Sequence, residues 1–279
     1  MDVILLGTGS PIPSAQRAGP ATLVKAGAVN LLVDCGRGVV MRLTGAGVGP
    51  AAVSAILLTH MHSDHICDLN DVITTHWIMN AAPTPLKVFG PKGAKALIEA
   101  TLAMLAFDVK YRIDHHDDLN AGPLIETTEL EPGERFSVGD CQITAHATDH
   151  SPVFPTLGYR IERGGVVAAL AGDTVPCPGL DALCLGADVY VQTVIRDDLV
   201  KRVPSQRFQD ILDYHSTVGQ AGETAARAGV KTLMLTHYVP PLAPGQEDEW
   251  RAIAAAHFAG EIVLGDDLTK VSVAETAPS

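Results

Sequence analysis

The stretch Leu57-Leu58-Thr59-His60-Met61-His62-Ser63-Asp64-His65 places three histidines and an aspartate within six positions, directly after an apolar run. Imidazole nitrogens and carboxylate oxygens are the usual ligands of catalytic zinc. His60 and His62, two apart, lie on one side of an extended segment, while Asp64 and His65 fall on the next turn and point toward a second position. Further candidate ligands stand where other apolar runs end: His150 after CQITAHATD, Asp173 in ALAGDT and His237 after LMLT. Seven such ligands suit two zinc-like ions with Asp173 shared between them, an arrangement that activates water and polarises the bond under attack. A structural zinc would favour a closed, cysteine-rich set. The five cysteines (35, 67, 141, 177 and 184) are scattered, odd in number and without CxxC spacing. That argues against a disulfide framework as well; they read as small core residues, Cys67 included.

Strands must end at these positions for the ligands to converge, because strand ends project side chains into a shared mouth. Apolar runs at 3–6, 21–26, 30–34, 55–58 and 86–90 read as strands, with helical patterns at 38–46, 66–79 and 93–105. The second half repeats the scheme. A strand runs into a loop over 141–150, a hairpin spans 156–174 with its turn at Gly164-Gly165, and a further strand covers 187–193. A helix at 217–229, a strand at 230–237, a helix at 246–258 and two short strands close the chain. Two halves of strands followed by helices predict two sheets packed face to face with helices outside. GTGSPIP (7–13) cannot lead into a helix as a dinucleotide-binding turn does, since its prolines block helix entry; it reads as a loop at a sheet edge. DHHDD (114–118) reads as an exposed acidic loop, His76 and Trp77 as helix–core packing, and 275–279 as a frayed tail.

The chain has 279 residues, 47% of them hydrophobic, and a formal net charge of -12. A surface so acidic repels phosphate polymers unless positive charge is concentrated locally. The densest basic stretch, IRDDLVKRVPSQR (195–207), is interrupted by acids. No apolar run reaches the length of a membrane span, and MDVILLGTGS lacks the basic start of a signal peptide. A cytoplasmic protein is the expectation.

THMHSDH matches the HxHxDH motif of the metallo-β-lactamase superfamily. Together with LLGTGSPIPSAQR, LLVDCGRGV, FGPKGAKALIEA, DHSPVFPTLGYRIE, LAGDTVPC and YHSTVGQAGETAARAGVKTLMLTHY, in that order over nearly the whole chain, it resembles the ribonuclease-Z-like branch. The resemblance implies one domain over 1–279, an αββα four-layer sandwich of two mixed β-sheets, and a dinuclear zinc site on its edge; manganese or iron would suit the same ligands. It gives one ion to His60, His62 and His150 and the other to Asp64, His65 and His237, with Asp173 bridging. His146 rivals His150, since HATDH holds both, but His150 has the family's position ahead of GYR. The resemblance also makes His215 the general acid, gives Asp64 a part in orienting the nucleophile, and implies a homodimer. Asp34 is expected to anchor a metal-bound histidine through its ring N–H, and Ser216-Thr217 to cap the helix that follows.

Two departures bear on substrate. Ribonuclease Z enzymes carry a long arm after the segment equivalent to GYRIE, whereas GYRIERGGVVAALAGDT runs through a two-glycine turn straight to Asp173. The family also places a His-Glu pair where this chain has Gln192-Thr193, which removes the partner of the general acid. With the acidic charge, these departures predict a phosphodiesterase for small aryl or nucleotide-like esters, acting through a hydroxide held between the ions, with RNA binding disfavoured. Alternatives on the same site are an arylsulfatase, a lactonase or esterase, a hydrolytic dehalogenase and the tRNA 3′-processing endonuclease; a non-catalytic metal-binding module is the alternative without chemistry.

Overall fold

The computed structural model describes residues 1–275. One seven-stranded sheet is built from β1 (Asp2–Gly7), β2 (Ala21–Ala26), β3 (Val29–Val33), β4 (Ala55–Leu57), β5 (Leu86–Gly90), β6 (Ile125–Glu129) and β14 (Lys270–Ser272), in the order β14-β1-β2-β3-β4-β5-β6. The other has β7 (Arg135–Val138), β8 (Cys141–Ala147), β9 (Leu157–Arg163), β10 (Val166–Leu170), β11 (Val189–Ile195), β12 (Thr232–Val239) and β13 (Glu261–Leu264), in the order β13-β12-β11-β10-β9-β8-β7. Each sheet joins an antiparallel part to a parallel one: β3 to β6 run parallel in the first, β10 to β13 in the second. Parallel neighbours need crossovers. Helices α1 (Val39–Gly45), α2 (Ser63–Ile66), α3 (Leu69–Met79) and α4 (Ala94–His115) supply them for the first sheet. In the second they are α5 (Pro178–Cys184), α6 (Asp197–Val200), α7 (Gln206–Gln209), α8 (Val218–Ala228) and α9 (Glu247–Ala255).

Both faces of each sheet are covered, and the side-chain alternation shows it. Along β1, Val3 and Leu5 enter the core between the sheets, together with Ile143, Tyr159 and Ile161 from the opposite sheet. Ile4 and Leu6 pack instead with Leu43, Val72 and Ile73 under α1 and α3. On the far side, Tyr190 and Leu233 pack with Leu180, Ala221 and Trp250 of α5, α8 and α9. This is the expected αββα sandwich. The hairpin turn at Gly164-Gly165 is present, with both glycines at positive φ (55° and 73°).

Several elements differ from the sequence reading for identifiable reasons. The helix expected at 66–79 is broken at Cys67-Asp68, because the backbone there is clamped to the loop after β3: Asp68 N donates to Cys35 O and Cys35 N to His65 O. Cys67 therefore lies on the outside of the break and is exposed, not buried as expected. Helix α4 runs ten residues beyond the expected 105, to His115. Its second half carries i,i+4 ion pairs, Arg112–Asp108 at 2.8 Å and Lys110–Asp114. Met104, Phe107 and Tyr111 stand exposed on it. Of the expected tail, Glu275 is anchored by the N-terminal amine and Arg163; residues 276–279 lie outside the described residues.

Candidate metal centre

The loops after β4, β8 and β10, with α2 and the end of β12, bring the expected ligands to one edge of the sandwich, where open α/β sheets commonly bind. His60 and His62 follow β4, Asp64 and His65 lie in α2, His150 follows β8, Asp173 follows β10, and His237 sits within β12. All but the half-buried His62 are buried. Two residues take strained left-handed backbone, Asp34 at φ 62° and His237 at φ 52°. Such conformations cost about 1–3 kcal/mol each and collect at functional sites. Gly172, just before Asp173, has φ 65°, and a Cβ there would stand 2.8 Å from that of Thr59. Only glycine allows that approach.

For His60, His65, His150 and His215, hydrogen bonds on the far ring nitrogen fix which nitrogen faces the pocket. The Thr59 hydroxyl donates to Asp34 Oδ2 at 2.8 Å, so it accepts from His60 Nδ1 at 3.0 Å and leaves His60 Nε2 a free lone pair. His65 Nδ1 donates to the same carboxylate oxygen, Asp34 Oδ2, at 2.8 Å. Asp34 thus orients two histidines, one directly and one through Thr59, and its expected anchoring position is seen in the geometry. His150 Nδ1 donates to Tyr214 O at 2.7 Å, and His215 Nδ1 to Ile211 O at 2.9 Å.

The remaining nitrogens crowd together. His62 Nδ1 lies 3.1 Å from His60 Nε2 and 3.1 Å from His150 Nε2. Three imidazole lone pairs at that spacing repel unless a cation lies between them, and tetrahedral zinc with bonds of about 2.0–2.1 Å sets its ligands slightly more than 3 Å apart. Asp173 Oδ2 is 3.9 Å from His60 Nε2 and 3.8 Å from His150 Nε2. It is also 3.4 Å from His65, 3.6 Å from His237 and 3.2 Å from His215 at their Nε2 atoms. Asp64 Oδ2 completes the second group, 3.2 Å from His237 Nε2 and 3.7 Å from His65 Nε2. Asp173 Oδ1 is buried without a hydrogen-bond partner. The residues fall into two separate metal-sized clusters, His60-His62-His150-Asp173 and Asp64-His65-His237, and a third, Asp173-His215-His237, overlaps both. His146 belongs to neither; it stays on β8 with a buried, unpartnered Nε2.

Electrostatics divide the two clusters. Burial pushes His150 down to about 4 and holds His60 well below its ordinary value, so both are neutral ligands at neutral pH. Burial opposes charge on His65 too, yet the Asp173 and Asp34 carboxylates outweigh it and raise the imidazole well above its usual range. His237 shifts upward in the same way, against burial, under Asp173 and Asp64. A pocket that favours protons on buried imidazoles favours a divalent cation in their place.

Gln192 and Thr193 do not reach His215. Gln192 faces the helices and accepts from the Tyr190 hydroxyl, and the Thr193 hydroxyl donates to Gly172 O at 3.0 Å. The ring N–H of His215 is served by a backbone carbonyl, that of Ile211, instead of a carboxylate. His76 and Trp77 pack away from the site, donating to Pro50 O and Ala121 O.

A cavity of about 430 Å³ opens over the clusters. Its floor includes His62, Asp64, Asp173, His215 and His237, and its walls come from Pro11 and Ile12 of the loop after β1 and from residues 205–214. The sequence reading gave 195–207 only as a basic run cut by acids and did not place it at the site. Its direct continuity with His215 was the available signal.

The sandwich, the paired His/Asp clusters on its edge and the relatives of this chain together define a metal-dependent hydrolase. It belongs to the beta-lactamase superfamily: the family described as Beta-lactamase superfamily domain matches residues 29–238. Within that family it is 55% identical over 275 residues to Ribonuclease Z of Mycolicibacterium gilvum (strain PYR-GCK), an alignment covering 98% of this chain and 96% of that protein. Among solved structures, the metallo-beta-lactamase fold protein YhfI from Bacillus subtilis superposes with a TM-score of 0.74 at 22% identity, covering 97% of this chain and 98% of that one. The short form of human tRNase Z gives 0.71 at 22%, covering 98% and 100%. At that identity these two structures bear on the fold alone.

Proposed function

We propose that this chain is a metal-dependent phosphodiesterase of the ribonuclease Z type, an endonuclease that cuts RNA in the 3′ maturation of tRNA precursors. The observation that carries it is the 55% identity to a Ribonuclease Z over 98% of this chain and 96% of that relative. Such two-way coverage leaves no room for a long arm in the relative. The missing arm, on which the expectation of small substrates rested, therefore does not separate this chain from a protein of that name. Small aryl or nucleotide-like diesters form a second reading, favoured by a cavity of about 430 Å³, near the lower end of the ~300–1,000 Å³ typical of small-ligand pockets.

His60, His62 and His150 would hold one ion, Asp64, His65 and His237 the other, with Asp173 between them; zinc is the first choice for this donor set. The bound ions supply Lewis acidity and water deprotonated near neutral pH. Asp64, whose Oδ2 lies 3.2 Å from His237 Nε2, would help orient the attacking water. His215 presents Nε2 3.2 Å from Asp173 Oδ2, while Ile211 O holds its Nδ1 proton; with the ring protonated on both nitrogens, Nε2 would be the atom that passes its proton to the leaving oxygen, Nδ1 keeping its own. The test is zinc-loaded protein incubated with a tRNA precursor transcript bearing a 3′ trailer, beside bis(p-nitrophenyl) phosphate. Cleavage at the trailer junction, lost in His60→Ala, is the expected result. Turnover of the small diester alone would support the second reading and overturn the first.

A further inference from the structure

The metal clusters account for the floor of the cavity and leave its roof unexplained. Among the described residues, Arg207 is the one lysine or arginine lining it, beside Ser205, Phe208 and Ile211. Most arginines of this chain are tied to carboxylates, as Arg196 is to Asp198 and Glu249. Arg207 is exposed and has no hydrogen-bond or ion-pair partner among the described residues. Phe208, next to it, is half-buried: it packs against the small apolar cluster of Ile195, Val200 and Val239 and also lines the cavity. On the opposite side Ile12 lies 40% exposed at the lip.

Resting on the RNA-cleaving reading above, we propose that Arg207 and Phe208 form a nucleotide subsite. Arg207 grips the phosphate next to the one being cut, and Phe208 stacks on the intervening base. A guanidinium fork pairs with phosphate through two N–H donors. Base–aromatic stacking tolerates any base, which suits an enzyme that must accept varied trailers. The subsite also lies close to the chemistry. Residue 211 holds His215, and residue 214 holds His150, through their backbone carbonyls. A nucleotide seated on Arg207 and Phe208 is thereby placed over the same segment that orients both imidazoles.

The experiment uses the full chain with Arg207→Ala, Arg207→Lys, Phe208→Leu and Phe208→Tyr. Leucine keeps the packing against Ile195 and Val239 while losing the π face; tyrosine keeps both. Steady-state kinetics on the tRNA precursor, and anisotropy of a fluorescein-labelled pentauridylate on metal-free protein, give two independent readouts. Arg207→Ala and Phe208→Leu should each raise KM for RNA about tenfold, as loss of one charge-assisted or stacking contact does, with kcat changed much less. Pentauridylate binding should weaken in parallel, zinc content should hold, and Phe208→Tyr and, in part, Arg207→Lys should restore KM. Variants that bind the pentanucleotide and turn over RNA with wild-type KM overturn the subsite. Wild-type protein that hydrolyses bis(p-nitrophenyl) phosphate but no RNA overturns the RNA reading itself, a separate result.

Discussion

At the residue scale, Asp173 and Asp34 do different work with the same functional group. Asp173 Oδ2 stands within 3.2–3.9 Å of five histidine Nε2 atoms. Asp173→Ala should remove metal from both clusters and lower kcat by at least about a thousandfold, within the span of rate enhancement that metal hydrolases depend on; metal analysis of the purified variant checks the first half. Asp34 touches only the far side of the site, through His65 Nδ1 and the Thr59 hydroxyl. Asp34→Ala should weaken zinc binding by about 10–100-fold, as loss of an outer partner does, while zinc in excess returns most of the activity. Failure of excess zinc to rescue would mean that the strained backbone at residue 34 matters more than its carboxylate. His215 gives a third case. A carbonyl supports a protonated imidazole less than a carboxylate would, so substrates whose leaving oxygen needs little protonation should suffer least. His215→Ala should cost about 10²–10⁴-fold on RNA, with its alkoxide leaving group, and clearly less on bis(p-nitrophenyl) phosphate; equal losses on both would exclude the general-acid role.

At the element scale, what could be read from the sequence followed the strength of local signals. β1, β2 and β5 and the Gly164-Gly165 hairpin were legible because apolar alternation and turn chemistry agree there. So was α8, whose Thr217 hydroxyl accepts from Gln220 N while Gln220 Oε1 accepts from Thr217 N, a reciprocal cap, with Gly229 at φ 65° closing the other end. Thr217→Ala should cost about 1 kcal/mol of stability in denaturant unfolding, and it should perturb activity as well, because the cap lies two residues from His215. β6 and β7 went unread: IETTE and RFSV carry few apolar residues, and their half-exposed edge positions weaken the alternation. α6 and α7 are four residues each and gain order from contact with Val200 and Val239, which no local pattern encodes. The seven candidate ligands were legible for the opposite reason. Each is a histidine or aspartate in the HxHxDH stretch or just past an apolar run, while the cavity roof is made of ordinary residues whose role depends on the fold bringing them over the two clusters.

At the scale of the whole molecule, the net charge of -12 is at odds with the polyanionic substrate of the proposed RNA-cleaving reading, and the resolution has a measurable signature. On that reading, ions held by the two clusters would join Arg207 in setting positive charge in one cavity. RNA would then bind through very few phosphates and gain little from counterion release elsewhere. For single strands the affinity exponent is about −0.7 per neutralised phosphate, so one or two contacts predict a slope of about −1 in a plot of log(1/KM) against log salt. The measurement is KM for the tRNA precursor with potassium chloride between about 50 and 200 mM, the range over which phosphate-tracking proteins lose affinity steeply. A slope near −1 that flattens in Arg207→Ala is the expected outcome. A slope of about −5 or steeper, unchanged by that substitution, would mean that RNA is held by an extended basic surface, which this chain would have to assemble from lysines and arginines outside the cavity.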